Sequence, residues 1–149
     1  MLTHDFESSI GYWIARAHQE YMRAFNEMLA PHGITFRQAQ VLGWLAAEGP
    51  MSQSEMANRL MIEPPSLVGI LNRSEAAGLV ERRPDPEDGR VKLIHPLPEA
   101  TRVWELVAEC GQVMLSRASA GLSEEELATL HRVLLKVREN VTACEAANP

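Results

Sequence analysis

The side chains best suited to chemistry lie in one stretch in the middle of the chain. It combines a predicted helix with small and polar outward positions and a turn with basic residues around it. Polar and arginine side chains on a helix can read base edges in a major groove, and arginine on a narrow tip can enter a minor groove. The stretch therefore predicts contacts with duplex DNA, through Ser66, Val68, Gly69, Asn72 and Arg73 on the helix and Arg90 and Lys92 at the turn.

The elements that position this stretch are indicated by helix-start patterns. A serine or threonine followed three residues later by Glu or Gln is a capping box, and this pattern occurs at Thr35, Ser52 and Ser123. Pro64 and Pro65 predict another helix start, because proline is tolerated in a first helical turn. Apolar residues at helical spacing follow each pattern, and a further helix is predicted from about Phe6 to Ala30.

Two strand-like runs follow the helix with the polar face. Leu79–Arg83 and Val91–His95 are separated by Pro84–Gly89, which is rich in turn-forming residues. The predicted order is helix, helix, short helix, helix, hairpin, helix, helix. The expected fold class is mainly α with a small β-hairpin wing (α+β), a winged helix-turn-helix with flanking dimerisation helices.

Apolar stripes in the last two helices predict self-association. Side chains recur at steps of three and four residues in Val103, Val107, Cys110 and Met114, and again in Leu127, Leu130, Leu134, Val137 and Val141. Such near-heptad stripes suit packing between helices, so we expect a homodimer. We expect one domain over 1–149, with the winged helix-turn-helix at 34–96 and dimerisation helices at 5–31 and 98–144.

The overall charge opposes simple DNA binding. The chain has a formal net charge of −6 and a pI near 5.4, whereas nucleic-acid-binding domains are usually basic. Only the field at the DNA-facing surface matters, however, and the basic residues are nearly all arginine, which pairs well with phosphate and guanine. The alternative to DNA contact by Arg82, Arg83 and Arg90 is that these arginines pair with acidic residues of the hairpin.

Other classes of protein lack support in the sequence. No run of about 18 apolar residues predicts a membrane span, and the N-terminal residues do not resemble a signal peptide. Cys110 and Cys144 are far apart, and the five histidines are not at metal-ligand spacing. No phosphate loop or nucleophile motif is present. We expect a cytoplasmic protein with no metal, no cofactor and no enzymatic activity.

Aromatic residues on the first two helices could line a cleft for a small ligand. The candidate lining is Tyr12, Trp13, Arg16, His18, Tyr21 and Trp44, with Arg16 or His18 as the polar partner of a planar acid. Ordinary core and interface packing is the alternative for the same residues.

Three segments, 49–57, 62–68 and 77–90, resemble the MarR family of transcription regulators. The last contains Gly-Leu-Val-Glu-Arg followed by Asp88 and Arg90 in a D-x-R pattern, and segment 65–68 is most similar to the SlyA branch. The resemblance implies a dimer that binds pseudo-palindromic promoter DNA. Asp88 would brace the wing, and Arg90 would enter the minor groove. In many members a small aromatic or phenolic effector, bound between the dimerisation and DNA-binding parts, relieves repression.

The sequence departs from the family pattern in three places. Gly69 stands where the recognition helix often has arginine, Ser74 where leucine is usual, and 97–100 replaces the common L-T-x-x-G. Ser74 is expected to weaken packing under the wing. These departures and the acidic charge leave an alternative function, a dimeric ligand-binding or protein-interaction module on the same fold with weakened DNA binding.

Overall fold

The structure is a computed structural model that describes residue 5 and residues 7–143. Its elements are α1 (Ile10–Leu29), α2 (Phe36–Glu48), β1 (Met51–Ser52), α3 (Gln53–Leu60), α4 (Pro64–Ala76), β2 (Val80–Pro84), β3 (Lys92–Pro96), α5 (Pro98–Ala118) and α6 (Glu124–Ala143), with a short 3-10 turn at Ala30–His32. The expected fold class, mainly α with a small β wing, is confirmed. The predicted first helical residue, Phe6, and Cys144 lie outside the described residues.

Side-chain caps set the starts of four helices. The Ser9 hydroxyl accepts from the Tyr12 backbone N–H, so α1 begins at Ile10, later than predicted. The capping boxes at Thr35 and Ser52 are confirmed, with both reciprocal hydrogen bonds present. At Ser123, the backbone N–H donates to Glu126 Oε2 at 2.7 Å and the hydroxyl accepts from the Glu126 N–H at 3.2 Å. Each cap satisfies N–H groups that a helix leaves unpaired.

The sheet has three strands rather than the two of the predicted hairpin. Its order is β1-β3-β2, with antiparallel pairing throughout. Met51 pairs with Ile94 on one side of β3, and Arg82 pairs with Ile94 on the other. β1 was missed because it is only two residues long and its Met-Ser sequence continues directly into a helix cap.

The core of the winged helix-turn-helix lies where α2, α3, α4 and the sheet meet. The largest side chains with almost no exposure in the structure are Leu29, Val41, Met56, Leu67, Leu71, Ser74, Val80 and Ile94. Leu67 and Leu71 come from α4, and Val80 and Ile94 come from the two long strands, so burial fixes the helix against the wing. Burying each of the apolar side chains in this set stabilises the fold by roughly 1.5–3 kcal/mol.

The chain divides into two compact units, and the division falls between Val113 and Met114, inside α5. The first unit holds the winged helix-turn-helix. In the second, α6 has no buried residue, and Leu127, Leu130 and Leu134 are all exposed. The expected single domain stays a prediction. Within the described ranges, no helix is long and apolar enough to cross a bilayer.

Replacing Met61 with glycine should stabilise the fold. Met61 ends α3 in a left-handed conformation (φ 50°), and its side chain is 90% exposed, so it contributes little packing to offset that backbone geometry. Glycine adopts this region without the Cβ clash. We expect Met61→Gly to raise the free energy of unfolding by about 0.5–1 kcal/mol in urea titrations. The reverse change, Gly78→Ala at φ 68°, should lower it. A less stable Met61→Gly would contradict the strain argument.

Candidate nucleic-acid interface

The first part of the candidate interface is α4, which separates a buried face from an exposed one. Its backbone starts after Glu63, with prolines in the first turn where an N–H has no helical partner. Leu67, Ile70 and Leu71 are buried as predicted. On the opposite face lie the predicted DNA-binding residues of the helix: Ser66, Val68, Asn72 and Arg73 are exposed, and Gly69 is half-buried.

Packing does not require a glycine at position 69. A Cβ there would lie 3.7 Å from Arg73 Nη1, which is ordinary van der Waals contact. Because Gly69 has no side chain, the helix surface does not project at this position, and the Arg73 guanidinium lies next to it. The Arg73 guanidinium thus lies close to position 69, where the resemblance implies an arginine.

Ser74 is buried with its polar group satisfied. Only 1% of the residue is exposed, and its hydroxyl donates to the Ile70 carbonyl oxygen at 3.0 Å. No unpaired polar atom therefore results at this buried position. The expected weakening of packing under the wing stays a prediction.

The second part is the wing, formed by β2, β3 and the turn at 85–91. Arg90 lies at its tip with 92% of its side chain exposed. Asp88 accepts from the Arg90 backbone N–H at 3.1 Å, from Nε at 3.0 Å and, through its other oxygen, from Nη2 at 3.2 Å. These bonds lower the pKa of Asp88, with the side-chain bond from Arg90 as the main cause. Asp88 thus orients Arg90.

The other basic residues of the wing divide between exposed and held positions. Lys92 is exposed opposite Pro84, and Arg83 pairs with Glu81 on its own strand. Arg82 is different, because its side chain is only 24% exposed and bonds to α4 rather than to the acidic residues of the hairpin. Pairing with acidic residues of the hairpin, the alternative to DNA contact, is therefore found for Arg83 and Arg90 but not for Arg82.

A carboxylate on α4 joins this helix to the wing. Glu75 Oε1 accepts from the Arg82 backbone N–H at 2.9 Å and from Arg82 Nε at 3.1 Å, and its Oε2 accepts from Nη2. The same Nη2 donates to Asn72 Oδ1 at 2.6 Å. The side-chain bond from Arg82 is the main cause that lowers the pKa of Glu75. Sequence reasoning missed this network, because only the folded turn at Gly78 brings positions 75 and 82 together.

Both the sequence and the fold of this chain match those of known proteins. A family model described as MarR family matches residues 32–91. The regulator FarR of Neisseria gonorrhoeae is 32% identical, over 73% of this chain and 75% of its own length. Multiple antibiotic resistance protein MarR of Escherichia coli is 30% identical, over 86% of this chain and 90% of its own. A solved structure of a mutant E. coli MarR complexed with operator DNA superposes with a TM-score of 0.83 at 29% identity, covering 91% of this chain and 99% of that one.

The chain belongs to the MarR family. It is a DNA-binding transcription regulator. Helix α4 is the helix for which the sequence predicted the DNA contacts.

This MarR family protein also contains an apolar cavity of about 420 Å³ in its first unit. The lining comes from α1, α2 and α5 and consists of Phe25, Phe36, Ala39, Gln40, Gly43, Trp44, Ala47, Trp104, Val107, Ala108 and Gly111. Gly43 gives the Trp104 ring room to pack closely, because a Cβ at position 43 would lie only 3.0 Å from that ring. No lining residue in the described part of the chain is Lys, Arg or His.

The six residues that the sequence predicted to line a pocket do not all lie at this cavity. Trp44 lines the cavity, with the Arg59 guanidinium 5.3 Å from its ring centre. Tyr21 borders the cavity through edge-on contacts with Phe25 and Phe36. The other four lie on α1 and are not lining residues: Tyr12 packs edge-on against Trp13, Trp13 donates to the Glu7 carbonyl oxygen, Arg16 pairs with Glu20, and His18 is exposed.

The link between Glu75 and Arg82 should make stability depend on pH. The folded-state pKa of Glu75 lies below 4.5, so its contribution is complete above that pH and is lost as the pH falls through the folded value. We expect Glu75→Gln to lower the free energy of unfolding by about 1–2 kcal/mol at pH 7.

The deficit of Glu75→Gln should shrink as the pH is lowered below 4.5, because the wild-type carboxylate becomes protonated as the pH falls through its lowered folded-state pKa. Urea titrations across this range would measure it. Glu81→Gln is the matched control, since Glu81 pairs with Arg83 in a more exposed position. A deficit that stays constant with pH would contradict the role assigned to the ionised Glu75.

Proposed function

We propose that the regulator binds pseudo-palindromic promoter DNA as a homodimer, with α4 in the major groove and the wing tip in the minor groove. The observation that carries this proposal is the division of α4 into two faces. One face is buried under the wing, and the other leaves Ser66, Asn72 and Arg73 exposed at the start and middle of the helix. A major groove about 12 Å wide admits a helix in this way.

The distribution of charge removes the main objection to DNA binding. Between Ser66 and Lys92 the basic residues equal the acidic ones in number, so the net charge of −6 lies in the rest of the chain. Several acids in this region are already paired with arginines, among them Glu75, Glu81 and Asp88. The exposed Arg73, Lys92 and Arg90 can therefore approach phosphate groups from a region that is locally neutral rather than acidic.

Dimerisation is supported by apolar side chains that the single chain leaves exposed. They lie on α1, as Ile10, Trp13, Ile14 and Tyr21, and separately on α6, as Leu127, Leu130, Leu134 and Val141. Stripes of this kind are typical of interfaces. A dimer would place two recognition helices about 34 Å apart, which is one helical turn of DNA.

We also propose that a small aromatic effector binds the cavity and releases the DNA. The lining offers aromatic rings from Phe25, Phe36, Trp44 and Trp104, which suit a flat ring. Trp44 contacts Arg59 of α3, so a shift of Trp44 would reach the helix-turn-helix. Because no cationic residue is among the described lining, we expect a phenol to bind better than an aromatic carboxylate.

Segment 65–68 supports placement in the SlyA-like branch. A regulator of this kind would act as a repressor or a dual regulator in the cytoplasm, without catalysis. The alternative is a dimeric ligand-binding or protein-interaction module on the same fold. Salt dependence separates the two functions, because DNA binding weakens steeply with added salt through counterion release.

Removing the wing-tip arginine should weaken DNA binding without affecting the dimer. Fluorescence anisotropy with the protein's own upstream intergenic DNA, in a salt series, should show at least about a tenfold loss of affinity for Arg90→Ala, because a minor-groove contact is lost. Light scattering should give a dimer for both proteins.

Arg102→Ala is the matched control for this experiment. Arg102 is also exposed and paired with a nearby acid, Glu99, but it lies on α5 outside the wing. Equal affinity of Arg90→Ala and wild type for this DNA would remove the wing from the proposed mechanism.

Filling the cavity should abolish effector binding while DNA binding persists. Gly111→Leu places a side chain beside Phe25, whose ring would lie 4.0 Å from a Cβ at 111. We expect calorimetry to detect 2-naphthol binding to wild type, with weaker binding of benzoate, and no binding of either to Gly111→Leu. Gly11→Leu, the same change in α1 outside the cavity, is the control. Unchanged binding of 2-naphthol to Gly111→Leu would exclude this cavity as the effector site.

A further inference from the structure

The side chain of Asn72 is held by the wing. Arg82 Nη2 donates to Asn72 Oδ1 at 2.6 Å while the same guanidinium is fixed on Glu75 by two further bonds. The Arg82 backbone N–H also donates to Glu75, so the backbone of β2 and the side chain of Arg82 are anchored at one carboxylate. Arg82 is mostly buried, and Asn72 is exposed on the face of α4 that points away from the core.

This contact settles which end of the Asn72 amide points outward. A guanidinium has five N–H donors and no acceptor, so only the amide oxygen can face it. The amide nitrogen, with its two hydrogens, is then presented on the exposed face. Among the described residues, none accepts a hydrogen bond from Asn72 Nδ2.

The fixed orientation matters because an asparagine amide can otherwise offer a base both its oxygen, as an acceptor, and its nitrogen, as a donor. The usual contact is bidentate to adenine, in which the amide oxygen accepts from N6 and the amide nitrogen donates to N7. In this protein, the oxygen already accepts from Arg82, and the positive guanidinium beside it disfavours the approach of an amino hydrogen. Guanine instead offers two acceptors, N7 and O6, to the outward amide nitrogen.

We propose that Asn72 selects guanine at one base pair of each half-site and that Arg82 is the positioning residue that imposes this choice. The inference rests on the proposed insertion of α4 into the major groove. Arg82 acts through Asn72 and does not itself contact the DNA. The base preference of the recognition helix is therefore set in part by a residue of the wing.

Selection from a randomised 24-base-pair duplex pool, followed by sequencing of the bound fraction, tests this inference. We expect wild type to favour guanine over adenine by about tenfold at one position in each half-site. Asn72→Ala should lose the preference at that position and keep those elsewhere. Because Asn72 is exposed, this variant is expected to fold, and it therefore serves as the test if changes at Arg82 prevent folding.

Two substitutions at Arg82 separate positioning from general support of the fold. Arg82→Gln introduces an acceptor, which lets the Asn72 amide turn, so the guanine preference should fall to about twofold or shift to adenine. Arg82→Lys keeps a cation with donors only and should retain guanine. Arg83→Gln, on the same strand but paired with Glu81, is the matched control and should select as wild type does.

The outcomes distinguish the inference from the function on which it rests. If wild type enriches no sequence from the pool, both fall. If wild type selects a site but Asn72→Ala selects the same bases at every position, DNA binding stands and the role of Asn72 is wrong. If Asn72→Ala loses guanine but Arg82→Gln keeps it as strongly as Arg82→Lys does, Arg82 is not a positioning residue.

Discussion

The ion pair between Glu75 and Arg82 is the interaction on which the arrangement of the proposed DNA-binding surface depends. It joins the end of α4 to the first strand of the wing, two elements that the apolar core already packs together. Hydrogen bonds to charged partners are directional, so they add a fixed orientation to the contact that burial provides. The link therefore helps to set how the wing lies against α4.

A regulator with a net negative charge can bind DNA because its excess of acidic residues lies outside the region of α4 and the wing. In the wing, Asp88 accepts three bonds from Arg90 and so orients the guanidinium while it remains exposed. On α4, Glu75 neutralises Arg82, which is not needed at the surface. An arginine paired with an acid thus serves a structural purpose at Arg82 and remains available at the surface at Arg90. The two arginines differ only in how buried they are and in their partners.

The sequence predicted the parts of this molecule that depend on local rules. The capping boxes at Thr35 and Ser52, the proline start of α4 and the turn at Gly78 are local, and each was placed within about two residues of its observed position. Features made by distant residues were not predictable. The cavity depends on the Trp104 ring of α5 lying over Gly43 of α2, and helical periodicity does not reveal which helices meet. The candidate pocket therefore included Trp44 but missed Trp104.

The position of Glu75 has a consequence for self-association through strands. In the order β1-β3-β2, the strand β2 lies at an edge of the sheet, where unpaired backbone groups could recruit a strand from another molecule. The N–H of Arg82 points out of this edge, and the carboxylate of Glu75 occupies it. A helix side chain thereby closes the middle of the edge, and Pro84, which has no N–H, closes its end. Glu75, which links α4 to the wing, therefore also leaves one fewer free backbone N–H at this edge for pairing with a strand of another molecule.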